Sequence, residues 1–315
     1  MPTATLASRL ERALDGGGDA LDGLAGARPV DRRDAAVALL TVHDLHLAPL
    51  DAVGERTRWQ HHPAVAALKG ALEERHLARL PGWPGPAEPV DDAVAALRRL
   101  AVADQVPAVY AWLAEAAGWD DAVGFLVLEG GPDGGFDDLV ALCQVGLAGE
   151  PKLEMARNYW DEMGRGRAAD VHTELHRRFT AAAGVALPPP AGQPVEALER
   201  RLLGSVLATN RALQPELVGA LGLIELRAGP RCRRVVQGLR RLGAPDDLVT
   251  FYAEHATADP RHGRDWLDHV VAPLAADPRW AAGIVRGARW RAEVDARFLA
   301  AAAPPAATER AARAA

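Results

Sequence analysis

Nowhere in this chain do apolar and polar residues alternate in runs joined by hairpin turns, and that absence constrains the fold more than any other feature. Apolar residues recur instead at helical spacing, as at Val65, Leu68, Leu72 and Leu77. That is the pattern of a helix with one buried face. Composition points the same way: Ala, Leu and Arg dominate, and aromatic residues make up only 5%. Such a mix favours helix over strand. The chain reads as all-α, and 315 residues suffice for a large buried core.

Breakers divide the chain. A first helix within 4–25 ends at Gly16-Gly17-Gly18; Asp34–Leu40 and Trp59–Leu80 are helical. Pro81–Pro89 is the clearest linker. Helices follow at about 90–100, 106–117, 122–129, 137–146, 153–163 and 169–183, with breaks at Gly130-Gly131-Pro132 and Gly164-Arg165-Gly166. After a loop at Pro188–Pro194 come helices at 195–209, 216–227, 231–241, 246–258, 260–275 and 279–302. The expected organisation is an N-terminal helical extension over residues 1–90, a bundle over 91–302 and a low-complexity, disordered tail over 303–315.

The net charge of −6, with no basic block interleaved with aromatics, argues against nucleic-acid binding. Cys143 and Cys232 lie far apart without a CxxC, which fits buried thiols in a cytoplasmic chain. Met1–Asp15 lacks the pattern of a signal peptide, and no apolar run approaches a bilayer-spanning length.

Chemistry concentrates in His255-Ala256-Thr257-Ala258-Asp259-Pro260-Arg261-His262. On one helix, at about 100° per residue, His255, Asp259 and His262 fall within roughly 60° of arc. Two imidazoles and a carboxylate suit a borderline divalent metal. The competing reading makes Asp259 an N-cap and Pro260 the first residue of a new helix, with no site. Other helices offer matching groups. Glu225 sits in the apolar stretch Leu217–Leu226, where burial would require a partner or a metal. Glu162 ends one helix and His172 lies just past the Gly-rich break. Glu129 follows Phe125–Leu128, either as a ligand or as a helix end facing water. Carboxylates and imidazoles on several helices are the ingredients of a carboxylate-bridged dimetal bundle, although the paired Glu-x-x-His motifs of ferritin-like proteins are missing. His43 and His46, three residues apart without an evident carboxylate, read as structural.

His255-x3-Asp259-x2-His262, with Glu225 thirty residues upstream and Glu162-x9-His172 before that, resembles the haem-oxygenase-like diiron oxidases and oxygenases, sequences often labelled iron-containing redox enzymes. Asp161-Glu162-Met163-Gly164-x-Gly166 is similar to that family's Asp-Glu-Tyr-Gly-x-Gly, with Met163 in place of the aromatic residue. The resemblance covers about residues 95–300 and extends to the Trp59–Leu80 segment. It implies a haem-oxygenase-like helical bundle without haem, two Fe(II) per chain and O2 as co-substrate. The implied metal ligands are Glu129, Glu162, His172, Glu225, His255, Asp259 and His262, with no catalytic residue beyond them. The implied function is O2-dependent oxidation or oxygenation of a small organic molecule such as an amine, amino acid or carboxylate. An external electron donor and a homodimer are compatible with it. His176 and His269 are candidates to support the ligands, with a plain surface or core role the default for His269, and Arg165, Arg167 and Arg264 are candidates to meet a substrate carboxylate, with a surface charge the default for each. The rival readings are a mononuclear-iron enzyme, a hydrolase with Cys143 as nucleophile, and a non-catalytic helical metal-binding or scaffold protein.

Overall fold

The computed structural model describes residues 4–103, 106–130 and 135–314. Among them every regular element is helical. The N-terminal helices are α1 (Leu6–Gly16), α2 (Gly18–Asp22), α3 (Arg32–Leu47), α4 (Leu50–Val53) and α5 (Pro63–Leu77). Next come α6 (Ala93–Ala103), α7 (Ala108–Glu115), α8 (Trp119–Gly130), α9 (Phe136–Cys143), α10 (Gly149–Glu162), α11 (His172–Ala183) and α12 (Val195–Thr209). The chain closes with α13 (Gln214–Arg241), α14 (Asp246–Asp265), α15 (Ala272–Leu274), α16 (Pro278–Ala302) and α17 (Pro305–Ala314). No helix is long and apolar enough to cross a membrane among the described residues.

Helix α13 is the hub, packed against α14, α16, α7 and α6. Glycine lets its backbone approach α16. A Cβ on Gly219 would sit 1.8 Å from the Ile284 carbonyl oxygen, and one on Gly287 would sit 1.9 Å from the Glu216 carbonyl oxygen. Only hydrogen fits at either position. The N-terminal helices share the bundle's interior: α3 packs on α12, and Leu10, Leu39, Leu198, Val218 and Trp290 belong to one continuous apolar core.

Two sequence boundaries dissolve in the structure. Residues 216–241 form one helix that passes through Pro230, and α14 passes through Pro260. Asp259 is therefore an interior residue of α14, and the reading of Asp259 as an N-cap fails. A mid-helix proline removes one N–H donor and crowds the preceding turn. The Ala256 carbonyl, which Pro260 cannot serve, instead accepts from Arg233 Nη1 at 3.4 Å. Gly229 on α13 faces the Pro260 ring, where a Cβ would come within 2.9 Å. The tail is a second correction. From Pro305 it is helical and packs on α7, burying Ala307 and pairing Arg310 with Glu115. Pro at the first position and a run of Ala are good helix-forming chemistry once α7 supplies a surface. The break read at Gly130-Gly131-Pro132 lies partly outside the described residues, which omit 131–134.

Candidate metal centre

Four helices converge on one buried cluster. Glu162 ends α10, His172 begins α11, Glu225 lies within α13, and α14 supplies His255, Asp259 and His262. The reversal between α10 and α11 depends on left-handed backbone at Gly164, Arg165 and Gly166, with φ of 61°, 55° and 83°. A Cβ on Gly164 would meet the backbone of Asp170 at 2.6 Å. Glycine at that point lets the end of α10 and the start of α11 lie side by side.

Two sets of ligand-type atoms form, each with its members within 4.8 Å of one another: Glu162, His172 and His255 in one, Glu162, Glu225 and His262 in the other. Glu162 is common to both. Its Oε2 lies 2.7 Å from His172 Nδ1, and Glu225 Oε2 lies 3.6 Å from His262 Nδ1. Asp259 Oδ1 is 4.0 Å from the same nitrogen. The second group thus extends to Asp259, so the structure brings together six of the seven residues inferred from sequence.

Glu129 is held differently. Its Oε1 accepts from the Tyr110 hydroxyl at 3.0 Å and lies 3.8 Å from Arg200 Nη2. It lines the same cavity, of about 140 Å³, into which Glu162, His172, Glu225, His255 and Asp259 also face. The apolar wall includes Ile224, Ala228, Val235 and Phe251. Asp295, also in the lining, accepts from Arg200 Nε and Arg291 Nε, each at 2.9 Å. Burial opposes ionisation of Asp295, but the charges of Arg291, Arg200 and Arg231 outweigh it and hold the carboxyl down at about 2.

The electrostatics fit a cation. Glu162, Glu225 and Asp259 are carboxylates no more than 3% exposed. Burying such groups is costly unless positive charge or donors compensate. Asp259 Oδ2 and His262 Nδ1 are buried with no hydrogen-bond partner. Burial, and then the charges of Glu225 and Glu162, push the Asp259 carboxyl well above its usual range. His262 loses basicity to burial but gains more from Glu225 and Asp161, and ends at about 9. Burial likewise opposes protonation of His172, yet the adjoining Glu162 carboxylate raises it. His255 goes the other way, lowered by burial and the His172 charge. Its Nδ1 donates to the Phe251 carbonyl at 2.8 Å, leaving Nε2 as the available lone pair. In the protein alone, protons occupy positions that a divalent ion would satisfy better. The residues present therefore fit a metal, and their oxygen and nitrogen donors suit iron.

The remaining candidates separate cleanly. His176 lines the cavity and packs edge-on to Phe251 at 5.2 Å. His269 is a surface residue paired with Glu150 at 2.7 Å. Arg167 is exposed and pairs with Asp170, and Arg264 is exposed. Arg165 binds Asp161. Cys143 is buried and burial pushes its thiol up, which removes the nucleophile that a hydrolase would need. His43 is buried against Glu73 at 2.9 Å, a partner thirty residues away on α5. Sequence reasoning also missed Asn158, whose Nδ2 donates to Glu225 Oε1 at 2.7 Å. Its only signal was its place one turn before Glu162.

A family model described as iron-containing redox enzyme matches residues 124–296. That span is just over half of the chain and includes all seven of the inferred ligands. None of the curated proteins compared with the chain matches it.

Proposed function

Because this chain belongs to the iron-containing redox enzyme family, we propose that it is a non-haem diiron oxidase or oxygenase acting on a small organic molecule. The observation that carries the reading is Glu162, one carboxylate shared by two sets of ligand atoms. Two cations a few ångströms apart repel, and a carboxylate between them offsets that repulsion. His172 and His255 would hold one ion with Glu162, and Glu225, Asp259 and His262 the other. Glu129 faces the same cavity, where Tyr110 and Arg200 hold it. When bound, ferrous iron supplies the electrons that activate O2, its reactivity tuned by ligand charge and by the hydrogen bonds behind each ligand.

The chain's own residues define what happens around the metals. Ile224, Ala228, Val235 and Phe251 give the cavity an apolar wall that excludes water and accepts a compact carbon skeleton. Tyr252, one turn before His255, is buried with its hydroxyl unpaired and lines the same space. An external reductant would restore the ferrous state between turnovers.

The test is rapid mixing of the anaerobic Fe(II)-loaded protein with O2, followed optically, with His255→Ala as control. A transient absorbing species that appears in the native protein and not in the variant supports the reading. Iron that binds yet stays ferrous in air, with no optical change, would remove it.

A further inference from the structure

Helix α10 gives the centre more than Glu162. Asn158 and Asp161 stand on the same helix, four residues and one residue before it, and each holds the outer side of one ligand. Asn158 Nδ2 donates to Glu225 Oε1 at 2.7 Å. Asp161 Oδ2 lies 3.0 Å from His262 Nε2. The inner atoms that remain, Glu225 Oε2 and His262 Nδ1, face each other at 3.6 Å, with Asp259 Oδ1 4.0 Å from the same nitrogen. They are too far apart to hydrogen-bond and close enough to share one ion.

An imidazole that binds a metal through one nitrogen keeps its proton on the other. With Nε2 donating to Asp161, the ligating nitrogen of His262 is Nδ1. Asp161 is itself anchored from two sides. Arg165 Nε donates to its Oδ1 at 2.9 Å, and Arg261, the neighbour of His262 on α14, donates to Oδ2. Arg165 reaches Asp161 from a left-handed backbone conformation, φ 55°, which costs a non-glycine residue energy and persists only where surrounding contacts hold it. That residue also contacts Glu254 of α14 at 3.3 Å. The turn after α10 and the helix bearing three of the ligands are thus tied through one carboxylate.

We propose that Asp161 is a positioning residue of the metal centre. It fixes His262 with Nε2–H outward and Nδ1 toward Glu225 and Asp259, and so sets the affinity for the ion on that side. This rests on the two-ion reading above.

The experiment is an anaerobic Co(II) titration of the full chain, read by visible absorption and equilibrium dialysis. It compares the native protein with Asp161→Ala, Asp161→Asn and Asp161→Glu, and circular dichroism checks each fold. The native chain is expected to bind two Co(II). Asp161→Ala should keep one and bind the other roughly 10- to 100-fold more weakly, the usual effect of losing such a partner. Asp161→Asn, which retains an acceptor oxygen, should recover most of that loss. Asp161→Glu keeps the charge but moves the acceptor by one methylene, so its bands should shift even if Asp161→Ala fails to fold. A second readout is the 15N spectrum of histidine-labelled, Zn(II)-loaded protein, with His262 assigned through His262→Gln. It should show Nε2 protonated and Nδ1 metal-bound in the native chain, and lose that signature in Asp161→Ala. Unchanged affinities, bands and nitrogen signals in the folded variants would overturn the inference and leave the two-ion reading standing. A native chain that binds no Co(II) would overturn both.

Discussion

Substituting Gly219 by Ala tests how tightly the helix that carries Glu225 is clamped. At an exposed helical position Gly→Ala stabilises by about 1 kcal/mol, because Gly surrenders more backbone freedom on folding. Gly70 is such a site: it is exposed on α5 and an added Cβ would meet nothing within 4 Å. At Gly219 the same methyl group would sit 1.8 Å from the Ile284 carbonyl oxygen. Ordinary contact begins near 3.4 Å, so α13 and α16 must part by about 1.6 Å. The obstructing atom is helix backbone and has no rotamer to turn. Overpacking of this kind costs about 1–3 kcal/mol or more beyond the propensity gain. At roughly 2 °C per kcal/mol for a chain of this size, Gly219→Ala should melt several degrees below the native protein and Gly70→Ala slightly above it. Glu225 lies six residues along α13, so the same displacement should weaken metal binding. Thermal and urea unfolding, each with and without Co(II), measure both effects. A Gly219→Ala protein as stable as Gly70→Ala would refute the close approach of α13 and α16.

Further predictions concern buried charge and buried thiols. Burial holds His76 at about 4 instead of 6.5, so on acidification the unfolded chain takes up that proton first. Its contribution to stability is complete above pH 6.5 and lost as pH falls to 4, by about 3 kcal/mol; urea midpoints across that window should fall steeply for the native protein and less for His76→Gln. Asp295→Ala removes the carboxylate shared by the buried Arg200 and Arg291 and should cost about 3–5 kcal/mol, read by urea unfolding. Cys143 and Cys232 are both buried, with thiols pushed up chiefly by burial. A thiol reagent at pH 8 should modify neither until denaturant is added, since the thiolate is the reactive form.

Helix class and the grouping of most candidate ligands were legible because both depend on local spacing. The arc of His255, Asp259 and His262 survives because α14 runs on through Pro260. The continuity itself was not legible: it depends on Arg233 capping the Ala256 carbonyl and on Gly229 making room for the proline ring, both contributed by α13. His269 takes the surface role that was its default. By seven-residue spacing it shares the His262 face, but a π-helical turn over Trp266–Val271 changes the phase of the helix, and His269 meets Glu150 at the surface. The pairings of His43 with Glu73 and of Asn158 with Glu225 join residues on different helices, and no local pattern announces them. Glu129, read from sequence as a ligand or a helix end facing water, lines the cavity, but its engagement by Tyr110 and Arg200 follows only from how α7, α8 and α12 pack.

The central claim is that Glu162 serves two ions at once. An anaerobic Fe(II) equilibrium titration of the native chain, His172→Ala and Glu162→Ala, with iron counted per folded chain, tests it most directly. Two ions in the native protein, one in His172→Ala and loss of tight binding at both positions in Glu162→Ala are the predicted results. A native protein that holds one ion or none, or a Glu162→Ala protein that still holds two tightly, would contradict it.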